Sequence, residues 1–347
     1  MSGVRAIAAS RLGPAHVGAA LIAATGVWVV LTAAWAGVSP LPVLASLLVV
    51  AAGVALSWVL AIRWPVPLLA SFVVGALMLI VANPAGVLGG GALQPPLGYA
   101  NATAALYAMA TVAVALLLVM VVSDVARIAL VLAGLAFVGV VVVGRSWAAA
   151  ILLAGFLAGA YLAERVIGAR AAVVGCGVAF LVALVATQTI GATQLGTGDG
   201  PVDMAIGSVL SAERVALWHD AIEMTAREPL LGVGAGGFAA SRSVARTDPD
   251  LRWAHHEYLQ AGAEMGLPGY VFVVALVAWG FVTLWLTAAG PVSAVAAAGL
   301  GVVSTHASLD YVFHFPAVLA AVAVVVGTGI GATSRGERAE TRSEVAR

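Results

Sequence analysis

The amino-acid sequence predicts an all-α polytopic membrane protein with about ten transmembrane helices. Of the 347 residues, 62% are hydrophobic and 9% are charged, whereas a soluble domain has roughly 25% charged residues. The apolar residues fall in runs of about 20, the length with which an α-helix crosses a bilayer while satisfying its own backbone hydrogen bonds. The alternating pattern typical of membrane β-strands is absent from the sequence.

The rest of the composition narrows the class further. The formal net charge is zero, which gives no sign of a nucleic-acid partner. Cys176 is the single cysteine and lies in an apolar run, so no internal disulfide is expected. No cleavable signal peptide is evident, and we expect the first apolar run to stay as a helix.

The ten candidate helices follow one another along the chain. They are 17–36, 42–62, 66–82, 103–122, 127–143, 147–163, 171–189, 267–288, 291–309 and 315–332. We predict four parts: a transmembrane bundle of about seven helices at 1–189, a long extracytoplasmic loop at 190–266, about three further helices at 267–332, and a cytoplasmic tail at 333–347 that we expect to be disordered.

The arginines predict the orientation, because cytoplasmic loops of membrane proteins are enriched in positive charge. With the N-terminus inside, the cytoplasmic segments hold arginines 5, 11, 63, 127, 165, 170, 335, 338, 342 and 347. The loops 37–41 and 83–102 carry no charge. We therefore expect a multi-pass protein of the cytoplasmic membrane with both termini inside and the long loop outside.

Arg145, in "VVVGRSWAAA", is the one arginine in a short outer connection. An arginine at a membrane boundary often only extends its side chain to the interface. The charge rule disfavours arginine on this side, so a functional role is the alternative.

The predicted loop 190–266 holds ten of the sixteen acidic residues and three of the six histidines, and ordered loops of this length are usually functional. Its residues 208–228 predict an amphipathic helix with Val215, Trp218 and Ile222 on one stripe, ended by Pro229. Such a helix is able to lie flat on the outer membrane surface. Arg214, at the edge of the stripe, then either points toward the lipid headgroups or is a solvated charge on a packed helix.

Two motifs end the loop. "PLLGVGAGGF" at 229–238 contains G-x-G-x-x-G but has no βαβ context, so we expect a tight turn, with anion binding by its amides as the alternative. His255 and His256 open a helix that carries Glu257, Gln260 and Glu264 along one strip. Adjacent histidines point about 100° apart on a helix, which disfavours a shared metal ion. A histidine at this surface is suited to general-base chemistry.

A third polar cluster, "THASLDYVFHFP", precedes the last predicted helix. His306, Asp310 and His314 share one face if the segment is helical, and Pro316 predicts a break near position 314. Ionisable residues at a membrane boundary are costly and are therefore functional candidates. Pairing of Asp310 with a histidine or an outer arginine is the structural alternative.

These residues together resemble the O-antigen ligase and polymerase family of integral-membrane glycosyltransferases, over roughly 95–330. The family loop carries R-x-x-x-W, then P-L-L-G-x-G-x-x-x-F, then H-[N/S/Q]-x9-G-x-x-G. Here these motifs correspond to Arg214–Trp218, Pro229–Phe238 and His255–Gly269. "GRSW" at 144–147 and Asn101 in "GYANATA" are similar to further family elements. His256 departs from the usual Asn, Ser or Gln, with a charge that can change with pH, and family members often have about twelve helices.

The resemblance implies transfer of a glycan from a polyprenyl-diphosphate carrier to an acceptor hydroxyl on the outer face of the cytoplasmic membrane. It implies inversion of the anomeric centre and no metal or cofactor. His255 is then expected to activate the acceptor, and Arg145 and Arg214 to stabilise the diphosphate. Substrate-binding roles are expected for Trp218, His256, Glu257, Asn101, Asp310 and His314. The expected partners are the lipid-linked donor, a glycan, lipid or protein acceptor, and the bilayer.

Three alternatives stay open. A repeat-unit polymerase shares these motifs with a ligase and differs in its acceptor. A transporter or flippase of lipid-linked glycans predicts midplane charges and broken helices in repeated halves, and the sequence has neither. A membrane scaffold without chemistry leaves the clustering of histidine and arginine accidental.

Overall fold

A computed structural model of the chain describes residues 13–88, 97–207, 210–241 and 249–345, with all their side chains except those of 249, 250 and 333–345. These residues form α-helices and short 3-10 turns, and no β-strand occurs among them. The helices are α1 (Pro14–Ala36), α2 (Leu41–Arg63), α3 (Pro65–Ala82), α4 (Pro84–Leu88), α5 (Ala100–Met120), α6 (Asp124–Val143), α7 (Trp147–Val166), α8 (Ala169–Thr193), α9 (Pro201–Gly207), α10 (Ala212–Arg227), α11 (Glu257–Leu286), α12 (Pro291–His306) and α13 (Pro316–Val345).

Eight of the described helices, namely α1 to α3, α5 to α8 and α11, are long and apolar enough to cross a membrane. Residues Pro291–His306 and Pro316–Ala332 form two shorter apolar helices. The predicted all-α polytopic fold is therefore confirmed, and each of the ten predicted runs overlaps a helix. Most bounds agree to within a few residues, but α11 begins at Glu257, ten residues before the predicted start, and α13 continues beyond the predicted end at 332. The last helix continues to Val345. Arginines 5, 11 and 347 of the charge argument lie outside the described residues.

The core of the bundle lies around α5 and α12. In α5, 72% of the apolar window is buried inside the protein, against 11–33% in the other seven spans. Every residue of α12 from Ala296 to His306 is buried as well. The surrounding spans expose rows of Val, Leu and Ile, as expected for helices whose outer faces contact lipid.

Several helix ends meet at one end of the bundle, and α10 packs against them. It contacts α8 and α11, and its Val215 and Trp218 are fully buried. Ser211 caps α10 by accepting a hydrogen bond from the backbone N of Arg214. The apolar stripe of α10 therefore packs against the protein. The sequence pattern had also allowed this stripe to lie on the membrane surface.

Candidate active site

Asp310 is the centre of a polar site at this end of the bundle. The chain leaves α12 after His306, so the break comes earlier than the predicted position 314. Asp310 is only 1% exposed. Its carboxylate accepts hydrogen bonds from the Tyr99 hydroxyl at 2.7 Å and from the Asn101 amide, and it lies 3.0 Å from His255 Nδ1. The site therefore joins the start of α5 to a turn 211 residues away in sequence.

The charges around Asp310 keep it ionised. Burial alone would raise the pKa of Asp310, but the hydrogen bond from His255 and the charge of Arg214 outweigh burial and hold the pKa well below its usual range. Arg214 Nη2 lies 3.4 Å from the carboxylate, and Nη1 donates to the Leu309 carbonyl at 3.3 Å. The Arg214 side chain is 28% exposed, so it is a partly buried partner of Asp310. Burial and the Asp310 charge raise the pKa of Tyr99, and its hydroxyl stays a donor.

His255 is fixed through both its backbone and its ring. Its φ of 51° lies in the left-handed region that residues other than glycine rarely adopt. Trp218, fully buried, donates from Nε1 to the His255 carbonyl at 3.0 Å. An ionised carboxylate only accepts hydrogen bonds, so Asp310 places the proton of a neutral His255 on Nδ1 and makes Nε2 the basic nitrogen. This is the tautomer that a general base requires. Trp218, expected among the substrate-binding residues, holds the backbone of His255.

His256 is completely buried and caps α11. Its Nδ1 accepts a hydrogen bond from the backbone N of Leu259 at 3.2 Å, and its Nε2 lies 3.0 Å from Thr187 Oγ1. Burial lowers the pKa of His256 to about 3, so the pH-dependent charge suggested by the sequence does not arise near neutral pH. Asn and Ser, two of the residues in the family motif at this position, are also good N-cap residues.

Replacing His256 with asparagine is expected to keep the protein folded at neutral pH and to make it less sensitive to acid. A buried histidine with a lowered pKa contributes stability that is lost as the pH falls below its unfolded pKa of about 6.5, because the unfolded chain binds more protons there. Thermal unfolding of the purified proteins at about pH 7 and about pH 5 measures the difference. His256→Ala, which loses the cap, is the control and should be about 1 kcal/mol less stable than wild type at neutral pH. Equal acid sensitivity of wild type and His256→Asn would contradict the lowered pKa of the buried His256.

A second acid–histidine pair lies beside the first. Glu257 Oε1 accepts from the backbone N of Phe313 at 2.6 Å and lies 3.1 Å from His314 Nδ1. Burial would lower the pKa of His314, but the Glu257 carboxylate outweighs it and raises the pKa. The amide of Gln260 lies 3.3 Å from the other nitrogen of His314 and accepts from the backbone N of Ala254 at 3.0 Å through its oxygen. Glu257 is 8% exposed and mainly fixes the turn that carries His314, whereas the His314 side chain is 29% exposed.

The glycine-rich segment 229–238 forms a tight turn around a carboxylate of the protein itself. Glu264 accepts from the backbone N of Gly236 at 2.7 Å and from that of Phe238 at 3.2 Å. The backbone N of Gly234 donates to the Glu264 carbonyl at 2.8 Å. At Gly266 a φ of 69° breaks the regular helix of α11, and a Cβ there would collide with the carbonyl of Leu230. The amides considered for anion binding are thus occupied internally, and the turn is held against α11.

Arg145 lies at the same end of the bundle but apart from Asp310. α5 starts beside Asp310. The short connections from α5 to α6 and from α6 to α7 reverse the chain twice, so the connection that carries Arg145 returns to this end of the bundle. Arg145 is exposed and has a φ of 56°. Among the described residues its guanidinium makes no hydrogen bond or ion pair. The site therefore brings together Arg214, His255, Asn101 and Asp310, and leaves Arg145 at its periphery.

Tyr99 and Trp253 belong to this site and were not singled out from the sequence. Each stands two positions before a residue that was, Tyr99 before Asn101 and Trp253 before His255. In both cases an aromatic residue next to a polar motif at a helix end was the feature of the sequence that indicated a site residue. In the part of the chain that the structure describes, no three His, Cys, Asp or Glu side chains are grouped to hold one metal ion.

Fold and site together define a polytopic membrane protein with a buried acid–histidine–arginine centre at one end of its helix bundle. The family model described as O-antigen ligase matches residues 109–274 of the chain. The match confirms the resemblance for this segment, which contains Arg145, Arg214 and His255. Tyr99, Asn101 and Asp310 lie outside the matched segment. None of the curated proteins compared with the chain matches it.

Proposed function

We propose that the protein transfers a glycan from a polyprenyl-diphosphate carrier to an acceptor hydroxyl, with inversion at the anomeric carbon. The observation that carries this proposal is the pairing of Asp310 with both His255 and Arg214. One carboxylate thus holds both the histidine whose basic nitrogen is Nε2 and the guanidinium of Arg214. A base beside a fixed positive charge suits displacement of a diphosphate by a hydroxyl.

In the proposed reaction His255 Nε2 accepts the proton of the acceptor hydroxyl. The hydroxyl oxygen forms the new bond to the anomeric carbon, and the bond from that carbon to the diphosphate oxygen breaks. The electron pair leaves with the lipid diphosphate, and the proton stays on His255 until it passes to solvent. Asp310 supports the step because its negative charge stabilises the imidazolium that forms.

Arg214 is proposed to stabilise the departing diphosphate. A guanidinium has five N–H donors, and those that face Leu309 and Asp310 leave others for phosphate oxygens. Its partial exposure is consistent with such access. Arg145, exposed at the same end of the bundle, is proposed as a second phosphate contact farther from the centre. With arginines carrying the phosphate charge, the proposed reaction proceeds without a metal ion.

The proposed location of the site is the outer face of the cytoplasmic membrane. Arg63, Arg127, Arg165 and Arg170 lie in the first or last turns of their helices, at the end of the bundle opposite Asp310. Positive charge concentrates on the cytoplasmic side of membrane proteins. This distribution supports a cytoplasmic position for both termini and an extracytoplasmic position for His255.

A strain that lacks the protein is expected to accumulate lipid-linked glycan, measured by mass spectrometry of extracted lipids. Expression of the wild-type protein in this strain should remove the accumulated lipid-linked glycan, and so should the variant Glu213→Gln, whose substituted residue is exposed and next to Arg214. Expression of His255→Ala should leave the accumulated glycan in place. Long chains on the carrier would identify a ligase, and single repeat units would identify a polymerase. No accumulation in the deletion strain, or full rescue by His255→Ala, would overturn the proposal.

A further inference from the structure

Trp253, Tyr311 and His314 form a contiguous aromatic cluster beside the proposed catalytic centre, here named the aromatic shelf. The ring of Trp253 lies 4.2 Å from that of His314 and 5.9 Å from that of Tyr311, centroid to centroid. Tyr311 in turn packs edge-on against His255 at 4.8 Å. Trp253 and His314 are partly exposed, so the shelf extends from His255 toward the surface.

The shelf differs from the aromatic residues that mark a membrane interface. Trp35, Trp64 and Trp147 stand at helix ends with 70%, 55% and 61% of their surface exposed, as expected for an interfacial belt. Trp253 is instead half-buried against His314, which is itself fixed by Glu257. A tryptophan that only anchors a helix in lipid does not need to pack on a fixed side chain such as His314. We therefore assign the shelf to the site and not to the membrane interface.

The position of the shelf indicates which substrate it faces. His255 is bound at Oδ1 of Asp310 and Arg214 at Oδ2. The acceptor hydroxyl belongs on the side of the base, and the leaving diphosphate belongs on the side of the guanidinium. The shelf contacts His255 through Tyr311, which places it on the acceptor side.

We propose that the aromatic shelf is a subsite for the pyranose ring of a sugar acceptor, with Trp253 as its main contact. This inference rests on the proposed function and adds the chemical class of the acceptor. A pyranose ring presents one face of C–H groups, which packs on an aromatic ring, while its hydroxyls at the edge are available for hydrogen bonds. In this arrangement one ring hydroxyl of the stacked sugar reaches His255 Nε2.

The test measures sugar binding without any donor. The full-length protein in lipid nanodiscs is mixed with the methyl pyranosides of glucose, galactose, mannose and N-acetylglucosamine, and saturation-transfer NMR reports contact with the ring C–H groups. At least one pyranoside is expected to bind wild type, Trp253→Phe and the interfacial control Trp35→Ala. Trp253→Ala is expected to weaken binding about tenfold, the equivalent of roughly 1.4 kcal/mol of stacking.

The outcome separates this inference from the proposed function. Arg214→Ala should keep pyranoside binding, because Arg214 lies on the opposite side of Asp310. Loss of transfer in that variant with binding intact supports both proposals. Binding of no pyranoside, or equal binding by wild type and Trp253→Ala, overturns the subsite even if glycan transfer is confirmed.

Discussion

Asp310→Asn is expected to lower glycan transfer by at least about 100-fold, the range found when general-base catalysis is lost. The amide has the shape of the carboxylate, but its NH2 group donates to His255 Nδ1. The imidazole then carries its proton on Nε2 and cannot accept one from the acceptor. The same change removes the negative charge that pairs with Arg214 at 3.4 Å.

The measurement is the initial transfer rate of the purified variants with a polyprenyl-diphosphate-linked glycan. Glu213→Gln, the same loss of charge at an exposed position, is the matched control and should transfer at the wild-type rate. Thermal unfolding of Asp310→Asn shows whether the fold is kept. A folded Asp310→Asn protein with a rate within about threefold of wild type would contradict the role of the His255–Asp310 pair, because loss of a general base costs far more.

Arg214→Lys and Arg214→Ala are expected to lose about 10-fold and about 100-fold or more of the transfer rate, as for donors that stabilise developing charge. Lysine keeps the charge but loses the planar set of N–H donors that lets arginine contact Leu309, Asp310 and a phosphate together. The loss should appear mainly in kcat, because the charge on the leaving oxygen develops in the transition state.

Arg227→Ala is the matched control for Arg214. Arg227 lies on the same helix, its side chain is 73% exposed, and it pairs with Glu223 at 2.6 Å. The exposed pair contributes little to stability, so this variant should transfer at the wild-type rate. Equal losses in Arg214→Ala and Arg227→Ala would show that the first loss reflects general damage to α10.

The sequence predicted the helices, and the packing brings several of the candidate site residues together, for separate physical reasons. A membrane helix must be continuously apolar over about 20 residues, so a short stretch of sequence is enough to predict it. Arg214 and His255 were given roles through the resemblance to the ligase and polymerase family, because spacing alone left Arg214 either as a headgroup contact or as a solvated charge. The contact between Tyr99 and Asp310 joins residues 211 positions apart. Local sequence patterns do not contain such a contact, because it depends on how the helices pack.

The packing gives several of the candidate site residues contacts within the protein. Trp218 and His256, for which substrate binding is predicted, are both fully buried and hold the backbone around His255. The helical face predicted for His306, Asp310 and His314 is wrong because α12 ends at His306. The alternative, pairing of Asp310 with a histidine and an arginine, is what the structure shows. Periodicity arguments do not reach the turn after α12, because they assume that the helix continues.

The most direct test of the account is the release of polyprenyl diphosphate from a purified lipid-linked glycan, with acceptor present, by the reconstituted full-length protein. The account predicts that wild type releases the lipid diphosphate together with a glycosylated acceptor of inverted anomeric configuration. His255→Ala should do neither, although it remains folded. Release by His255→Ala at the wild-type rate, or retention of the anomeric configuration in the wild-type product, would contradict the proposed mechanism.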